Sequence, residues 1–274
     1  MIKETNKPKC ALIVFTLMIF FFNMTFGQEK PNIIFIMADD LGYADVGVYG
    51  QKLIKTPNID QLSAEGMRFT DYYSGAAVCA PARSVLMTGL HTGHTRIRGN
   101  FGKGGVVGLA GKQGRVPIKE EDLTLAEVLQ ENGYKTGMIG KWGLGEPNTS
   151  GEPNKKGFDY LFGFYNQRRA HSYYPDYIWE NTNKVKLHGN ENEQNHQYTH
   201  NLFADESMNF IDRNYQKPFF LYLPVCIPHS RYELPDNGIY THKKGWTDLQ
   251  KKYAAMVTRL DETVGRIVKR LDAL

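Results

Sequence analysis

The sequence predicts an α/β fold with a mostly parallel central sheet and helices on both faces. Short, continuously apolar segments rich in β-branched residues alternate along the chain with longer segments of helical spacing. A strand that is apolar throughout is typical of a parallel sheet covered on both faces. Ligands of such sheets bind beyond the carboxyl ends of the strands, so polar residues that follow the strands are the candidate functional residues.

The first half of the chain carries clear start and stop signals. Thr56-Pro57 opens a helix that ends at Gly66, because proline fits the first helical turn and glycine commonly follows the last. Thr124 caps a second helix that Gly133 ends. The elements predicted up to this point are a strand at 32–38, a helix at 56–65, an extended segment at 67–73, and helices at 82–87 and 125–132.

The second half continues the alternation. Apolar β-branched and aromatic residues predict strands at 135–139 and 219–225. Apolar residues at helical spacing predict helices at 199–215 and 248–274. Segments 145–157 and 181–197 are rich in Gly, Asn, Pro and charged residues, and we expect them to be surface loops.

The N-terminus has the pattern of a secretory signal peptide. Lysines at 3, 7 and 9 precede an apolar run at 11–22, and small and polar residues follow, with cleavage expected after Gly27. Residues 28–274 would form the mature chain. The run is shorter than the about 20 residues that a membrane span needs, and an uncleaved anchor is the alternative. We therefore expect a protein that acts outside the cytosol, without a membrane segment after cleavage.

Net charge and cysteine content indicate which classes of partner and which covalent links the protein could have. The chain has a net charge of +4, and removal of three lysines and one glutamate with the signal leaves +4 − 2 = +2. A near-balanced charge gives no reason to expect a nucleic-acid partner, which requires a clustered basic face. Cys79 and Cys226 remain in the mature chain, and a disulfide between them is one reading in an oxidising compartment. That reading would leave Pro81 and Arg83 unexplained.

Two adjacent carboxylates follow the first predicted strand. Asp39 and Asp40 would lie at its carboxyl end, where hard oxygen donors suit Ca²⁺ or Mg²⁺. Capping of the following turn is the alternative role of such a pair.

Three motifs occur in a fixed order along the chain. The first is the Asp39-Asp40 pair, the third is Gly140-Lys141-Trp142, and between them lies Cys79-Ala80-Pro81-Ala82-Arg83. Together they resemble the sulfatase family of the alkaline-phosphatase superfamily. The resemblance covers nearly all of residues 31–274.

The resemblance implies a modified cysteine and a bound cation. In the family, a maturation enzyme oxidises the cysteine of this motif, here Cys79, to formylglycine, whose hydrate attacks sulfur with one hydroxyl. The second hydroxyl then expels sulfate from the covalent ester, which a serine could not do. Asp39, Asp40 and residue 79 would bind the cation, Ca²⁺ or alternatively Mg²⁺, and Arg83 would hold the hydrate and offset negative charge.

Further residues acquire roles by the same resemblance. Lys141 matches a lysine that contacts sulfate, and His229 matches a histidine near sulfate that could protonate the leaving group. Arg98 and Asn100 follow the predicted helix and are candidate substrate-binding residues. Histidines 91 and 94 are weaker candidates of the same kind.

The chain departs from the commoner pattern at one position. Gly143 stands where a histidine usually follows the tryptophan, so the step that releases sulfate lacks its usual base. The segment 170–175 resembles one in bacterial sulfatases that share this glycine. His171 within it is therefore a candidate replacement.

Sulfatases usually continue beyond a final helix of this kind. A strand ending in Asp-Asn-Gly, a second sulfate-binding lysine and a small C-terminal domain follow in the family. We therefore expect the chain to be the N-terminal part of a sulfatase catalytic domain, truncated before the C-terminal part, that turns over poorly alone.

The expected function is hydrolysis of a sulfate ester on a small aryl compound or a glycan, by a bacterial enzyme that is periplasmic or secreted. The expected partners are that sulfated substrate and the maturation enzyme. Two alternatives stay open. Relatives with the same motif hydrolyse phosphodiesters or phosphonate monoesters, and a secreted non-catalytic binding protein could retain Cys79 as a thiol.

Overall fold

The computed structural model describes residues 30–101, 106–107 and 114–274. The predicted signal peptide at 1–27 lies outside these residues. Residues 32–274 form one compact unit. Within the described part of the chain, no helix is both long enough and apolar enough to cross a membrane.

A six-stranded mixed sheet forms the centre of this unit, with the strand order β1-β8-β4-β5-β6-β7. The first four strands in that order run parallel, and β6 and β7 are antiparallel to their neighbours. A separate two-stranded ribbon pairs β2 with β3. The strands are β1 (Ile33–Asp39), β2 (Val106–Val107), β3 (Gly114–Arg115), β4 (Lys135–Lys141), β5 (Tyr160–Phe164), β6 (Tyr177–Glu180), β7 (Asn183–Lys186) and β8 (Phe219–Pro228).

The strand β8 explains why the central segments are so apolar. It lies between β1 and β4, and each of its ten residues is buried. Side chains alternate between the two faces of a strand, so a strand covered on both faces must be apolar at every position. Leu221 and Leu223 pack in one core cluster and Phe220 and Tyr222 in the other.

In the part of the chain that the structure describes, five helices lie on the sheet and against one another. Helices α4 and α5 contribute to the first core cluster, and α2 and α3 contribute to the cluster on the opposite face, while α1 packs on α5. The predicted arrangement of helices on both faces is therefore confirmed. The helices are α1 (Pro57–Glu65), α2 (Cys79–Thr88), α3 (Leu125–Glu131), α4 (Thr199–Asn214) and α5 (Asp248–Asp272).

Capping residues set the ends of the helices, and the Thr124 cap was expected from the sequence. Thr124 accepts a hydrogen bond from the Glu127 amide, and the Glu127 side chain accepts one from the Thr124 amide, which forms a capping box. Gly89, which was not predicted to cap a helix, ends α2 with φ of +69°. Helix α2 is longer than the predicted 82–87, and Cys79 is its first residue.

Some predictions from the sequence were incomplete or wrong. The expected loop at 181–197 contains β7 and a 3₁₀ segment, His188–Glu193, and the segment predicted as extended at 67–73 pairs with no strand of the described residues. Strands β5 and β6 were not predicted. The β6–β7 pair extends the sheet at its edge, where one side of the strand is exposed and the sequence lacks the continuous apolar signal.

Candidate active site

Four elements converge at the carboxyl edge of the parallel strands. β1 ends at Asp39, β4 ends at Lys141, and His229 follows the last residue of β8. Asp39 is paired with Pro228 across the β1–β8 register, so the ends of these two strands are adjacent. Helix α2 begins at Cys79.

Side chains from these elements form one cluster. Ligand atoms of Asp39, Cys79, His171 and His229 all lie within 4.8 Å of one another. Asp40 joins the cluster through its Oδ2 atom, 3.3 Å from Nε2 of His229. The structure thus brings together residues that are up to 190 positions apart in the sequence.

Asp39 is buried between two cations. The Lys141 ammonium donates to Oδ2 of Asp39, and Nη2 of Arg83 lies 3.8 Å from Oδ1. Burial alone would raise the pKa of this carboxyl group, but the charges of Lys141 and Arg83 outweigh it and hold the pKa below its ordinary value. Asp39 is therefore ionised in the folded protein at neutral pH.

Cys79 is partly buried and shares a hydrogen bond with His229. Burial opposes ionisation of the thiol, but the bond from His229 and the charge of Lys141 lower its pKa overall. The same bond is the main reason that the pKa of His229 is raised, since it stabilises the imidazolium against the effect of burial. A lowered thiol pKa increases the thiolate fraction, which is the form that reacts with oxidants.

His171 lies between Lys141 and His229. Its Nε2 atom is 3.3 Å from Nζ of Lys141, and its ring stacks on His229 with centroids 4.0 Å apart. Burial, followed by the positive charges of Lys141 and His229, lowers the pKa of His171 to about 3. The imidazole is therefore neutral at physiological pH and can accept a hydrogen bond.

Arg83 is fully buried one turn after Cys79. Its Nη1 atom donates to the backbone carbonyl of Lys141 at 2.6 Å, which ties helix α2 to the end of β4. Burial tends to lower the pKa of the guanidinium, but Tyr222 and Asp39 raise it overall. Arg83 is thus a fixed positive charge directed toward Asp39.

The side chains of Arg98 and Asn100 bind groups of the protein. Oδ1 of Asn100 accepts the backbone N–H of Ala80 at 3.1 Å, next to Cys79. The Arg98 guanidinium donates to the carbonyls of Gly93 and Thr95. In this arrangement the two side chains stabilise the loop after α2, and their predicted role in binding substrate stays a prediction.

The weaker candidates His91 and His94 lie in the same loop. Their rings contact each other edge to face, with centroids 4.5 Å apart, and both side chains are exposed.

A glutamine occupies the space that a side chain at position 143 would need. Gly143 has φ of +85°, and a Cβ atom built there would lie 1.9 Å from Nε2 of Gln167. Gln167 is almost fully buried, and it precedes His171 by four residues. No pattern in the sequence indicated that Gln167 replaces the volume of a side chain at 143.

Tyr173 is a second residue that the sequence did not single out. Its hydroxyl donates to the carbonyls of Cys226 and His229, at 3.1 and 2.8 Å. These bonds fix the backbone that carries His229.

Cys79 and Cys226 are both free, so the disulfide reading is not realised in the structure. Burial raises the pKa of Cys226 to about 12, which leaves this thiol protonated and unreactive.

The donor set fits a divalent cation. The carboxylates of Asp39 and Asp40 supply hard oxygen donors beside residue 79, as Ca²⁺ and Mg²⁺ prefer. Ionisation of Asp39 at neutral pH suits this role, and the neighbouring Lys141 would share the carboxylate with the ion.

A family model described as Sulfatase matches residues 31–274. Arylsulfatase G of Homo sapiens is 33% identical over 279 residues, which cover 89% of this chain and 49% of the relative. N-acetylgalactosamine-6-sulfatase of Canis lupus familiaris is 30% identical, with 90% of this chain and 48% of the relative covered. The chain spans about half the length of the curated relatives it matches.

Solved structures show the same fold. The crystal structure of Ps i-CgsB is 33% identical, with a TM-score of 0.73 that covers 89% of this chain and 55% of that one. A structure of the same protein holds k-i-k-neocarrahexaose. The phosphonate monoester hydrolase of Agrobacterium radiobacter, at 17% identity and a TM-score of 0.63 over 89% of this chain and 60% of that one, shares the fold alone.

The order of motifs along the chain, their convergence at one edge of a mostly parallel sheet and the family match over residues 31–274 agree. The chain belongs to the sulfatase family, within the alkaline-phosphatase superfamily, and corresponds to the N-terminal part of its relatives.

Proposed function

We propose that this protein hydrolyses sulfate esters with a formylglycine made from Cys79 and a divalent cation held by Asp39, Asp40 and residue 79. The observation that carries the proposal is the single cluster formed by Asp39, Cys79, His171 and His229. The net reaction consumes one water molecule, breaks the S–O bond of the ester, and yields an alcohol, sulfate and a proton.

Formylglycine at residue 79 and the divalent cation would together supply the attacking oxygen. A hydrated formylglycine has two hydroxyl groups on one carbon, and a bound cation makes such a hydroxyl more acidic. The protein's own residues would orient this centre. Arg83 provides a fixed positive charge beside Asp39. Lys141 provides an ammonium that can shift from Asp39 to a sulfate oxygen.

His229 is proposed to protonate the leaving alcohol. In the unmodified chain the bond to Cys79 and the charge of Asp39 raise the pKa of His229, and the Tyr173 hydroxyl holds its backbone in place. After conversion of Cys79, the charge of Asp39 would continue to favour the imidazolium. Asp40, 3.3 Å from Nε2, also favours the charged form of this ring. A positioned acid of this kind can protonate an alkoxide as the S–O bond breaks.

His171 is proposed to replace the missing histidine at position 143. Gln167 fills the space at 143, while His171 reaches the same cluster from a short 3₁₀ turn, Arg169–His171. Because the ring is neutral at physiological pH, it can accept a hydrogen bond from a hydroxyl at residue 79 and orient that hydroxyl.

The proposed substrates are sulfated glycans or small aryl sulfates. The names of the relatives support this class: one similar structure holds a carrageenan hexasaccharide, and one similar enzyme is named for N-acetylgalactosamine 6-sulfate. We further propose that residues 1–27 direct export to the periplasm or the medium, and that a maturation enzyme modifies Cys79.

Mass spectrometry of the peptide that contains residue 79 tests the proposal directly. After co-expression with a formylglycine-generating enzyme, conversion lowers the mass of the peptide by about 18 Da, whereas an unmodified thiol can be alkylated. An unmodified Cys79 under these conditions would contradict the proposal and favour a non-catalytic binding protein.

A paired assay then tests the reaction. The matured chain is incubated for long times with the sulfate and phosphate esters of one phenol and with sulfated oligosaccharides. We expect sulfate release above that of Cys79→Ala. Release equal to the variant's would refute sulfate-ester hydrolysis, and preferential phosphate release would assign the protein to the phosphorus-ester hydrolases.

A further inference from the structure

A cavity lies outside the cluster of Asp39, Cys79, His171 and His229. It has a volume of about 310 Å³, within the range of small-molecule sites, which begins at about 300 Å³. Its walls combine three aliphatic side chains with three aromatic and three polar ones, the last six being Tyr232, Trp246, Tyr253, Asp45, Gln51 and Gln250. Nothing in the proposed hydrolysis uses this cavity.

The two loops that wall the cavity also carry residues of the candidate active site. Asp45 follows Asp40 by five residues after β1, and Tyr232 follows His229 by three residues after β8. Three residues of extended chain span at most about 11 Å. One wall of the cavity therefore begins within about 11 Å of His229, a distance that a short oligosaccharide can span.

The backbone that presents Tyr232 is strained. Arg231 and Tyr232 have φ of +86° and +38°, in the left-handed region that non-glycine residues avoid. Such conformations persist where the surrounding structure enforces them, and they are concentrated at ligand sites. Here the strained pair follows His229 and directs the Tyr232 ring edge-on against Tyr253, with centroids 5.8 Å apart.

The chemistry of the lining favours a neutral, hydroxyl-rich ligand. None of the described residues that line the cavity is basic, and Asp45 contributes a carboxylate, which repels sulfate. Lys243 lies nearby, with Nζ 5.5 Å from the Trp246 ring centroid, but it does not line the cavity. Aromatic rings bind the apolar faces of sugars, and their polar atoms can bind hydroxyl groups.

Polar atoms of the lining remain available for a ligand. Among the described residues, the Tyr232 hydroxyl and the Trp246 indole N–H have no hydrogen-bond partner. In contrast, Oδ2 of Asp45 already accepts the Tyr253 hydroxyl, and Oε1 of Gln51 accepts backbone amides of its own loop. Recognition would therefore depend chiefly on Tyr232 and Trp246.

We propose that this cavity binds unsulfated sugar units of the glycan whose sulfated unit occupies the active site. This inference rests on the proposed function for its substrate class, but the binding it describes requires neither formylglycine nor hydrolysis. The cavity would select the neutral neighbours of the sulfated residue, while the cationic cluster would select the sulfate.

Trp246 provides a direct readout of binding. The other two tryptophans, Trp142 and Trp179, are 0% and 7% exposed, so Trp246 is the tryptophan that a ligand in this cavity would contact. We expect saturable changes in fluorescence when the chain is titrated with chemically desulfated hexasaccharides from carrageenan or chondroitin. Cys79→Ala should bind equally well, so a failure of the proposed function would not affect this result.

Variants test whether the signal comes from this cavity. Calorimetric titration should show binding at least tenfold weaker in Trp246→Ala. Leu249→Glu alters an exposed rim residue, so it should weaken binding about fivefold without a change in melting temperature. Tyr215→Ala, an exposed aromatic residue that does not line the cavity, is the matched control and should bind like the parent.

The proposal is overturned if neither desulfated hexasaccharide produces a saturable change at millimolar concentration. It is also overturned if Trp246→Ala and Leu249→Glu bind as tightly as the parent chain.

Discussion

Lys141 and Asp39 form the buried ion pair on which the proposed chemistry depends. Neither side chain is accessible enough for water to stabilise an isolated charge, since Lys141 is 0% and Asp39 5% exposed. The pair costs desolvation energy in the folded state, but loss of one partner leaves the other buried without compensation. The contact therefore serves two purposes, because it keeps Asp39 ionised and places an ammonium beside residue 79.

Removal of Lys141 should be strongly destabilising. Lys141→Met is expected to lower the free energy of unfolding by about 3–5 kcal/mol, because Asp39 loses its nearest cation. In Lys141→Met/Asp39→Asn the cost should be smaller than the sum of the single variants, since neither charge is left isolated. Urea denaturation measures all three. Lys252→Met, which breaks the exposed pair with Asp248, should cost far less, because water screens that pair.

His200 should make stability depend on pH at a site away from the candidate active site. It is buried on α4, and its Nε2 atom lies 2.9 Å from the hydroxyl of Thr263 on α5. Burial lowers the pKa of His200 to about 4, whereas a histidine in the unfolded chain titrates near 6.5. As pH falls from about 6.5 to 4, the unfolded chain gains a proton that the folded chain does not.

Stability contributed by neutral His200 is therefore fully present above pH 6.5 and is lost toward pH 4, by about 1.4 kcal/mol per pH unit. His200→Gln should reduce this slope in unfolding experiments between pH 4 and 7. An identical slope in His200→Gln and the parent chain would contradict this assignment.

At the level of the elements, the turn after β4 and the turn after β5 are matched to each other. Gly143 follows β4 by two residues, and Gln167 follows β5 by three. The side chain of Gln167 lies over the Cα atom of Gly143, so the two positions share one volume. A side chain at 143 and the Gln167 side chain in its present position cannot occupy this volume together.

Gly143→Ala tests this sharing with a well-matched control. Gly143 and Gly133 have nearly the same φ, +85° and +82°, but a Cβ atom at 133 has nothing within 4 Å. Both alanine variants should lose about 1 kcal/mol through backbone strain, and Gly143→Ala should lose about 1–3 kcal/mol more through overpacking. Thermal or urea unfolding measures the difference.

The double variant Gly143→Ala/Gln167→Ala should recover the overpacking part of this loss, and a double-mutant cycle isolates that coupling. Equal losses of unfolding free energy in Gly143→Ala and Gly133→Ala would show that the Gln167 side chain moves aside without a measurable cost. In that case the positive φ alone would restrict which residue types are tolerated at position 143.

Helix α2 depends on a residue outside the helix for its N-terminal cap. Val78 precedes Cys79 and offers no capping side chain, while Oδ1 of Asn100 accepts the Ala80 amide. Asn100→Ala should therefore lower the free energy of unfolding by about 1 kcal/mol, and Asn100→Asp should retain most of it. Equal losses in both variants, measured by urea denaturation, would argue against capping.

For the whole molecule, strong periodic signals were sufficient to predict the main elements. The apolar runs at β1 and β8 and the caps at Pro57 and Thr124 identified elements that the structure contains. Strands β5 to β7 were missed because they are short, at five, four and four residues, and because their pairing depends on distant residues. The short β2–β3 ribbon gave no signal either.

The candidate site was predictable only where motifs mark it. Asp39, Cys79, Lys141 and His229 follow recognisable patterns, and the structure places them at one edge of the sheet. Gln167 and Tyr173 act through contacts with residues that are 24 and 56 positions away in the sequence. Spacing within a single segment cannot reveal such contacts.

Asp261 is a buried acid on α5 that links this helix to α1, which lies about 200 positions earlier in the sequence. It is 1% exposed on α5, and its carboxylate accepts Nδ2 of Asn58 at 2.7 Å and the Ile59 amide at 2.8 Å. The N-cap residue of α1, Thr56, makes no capping bond with its side chain. A carboxylate from α5 therefore caps α1 and stabilises the positive end of its dipole.

Asp261→Ala should remove this link at a cost of about 2–3 kcal/mol, because two donors lose a charged acceptor. Hydrogen exchange distinguishes a local from a global effect. If Asp261 holds α1 in place, amides at 57–65 should exchange faster in the variant while those of the buried β8 keep most of their protection. Glu262→Ala, at the exposed neighbouring position, should change neither region. Faster exchange in β8 to the same extent as in α1 would instead show that this link supports the entire sheet.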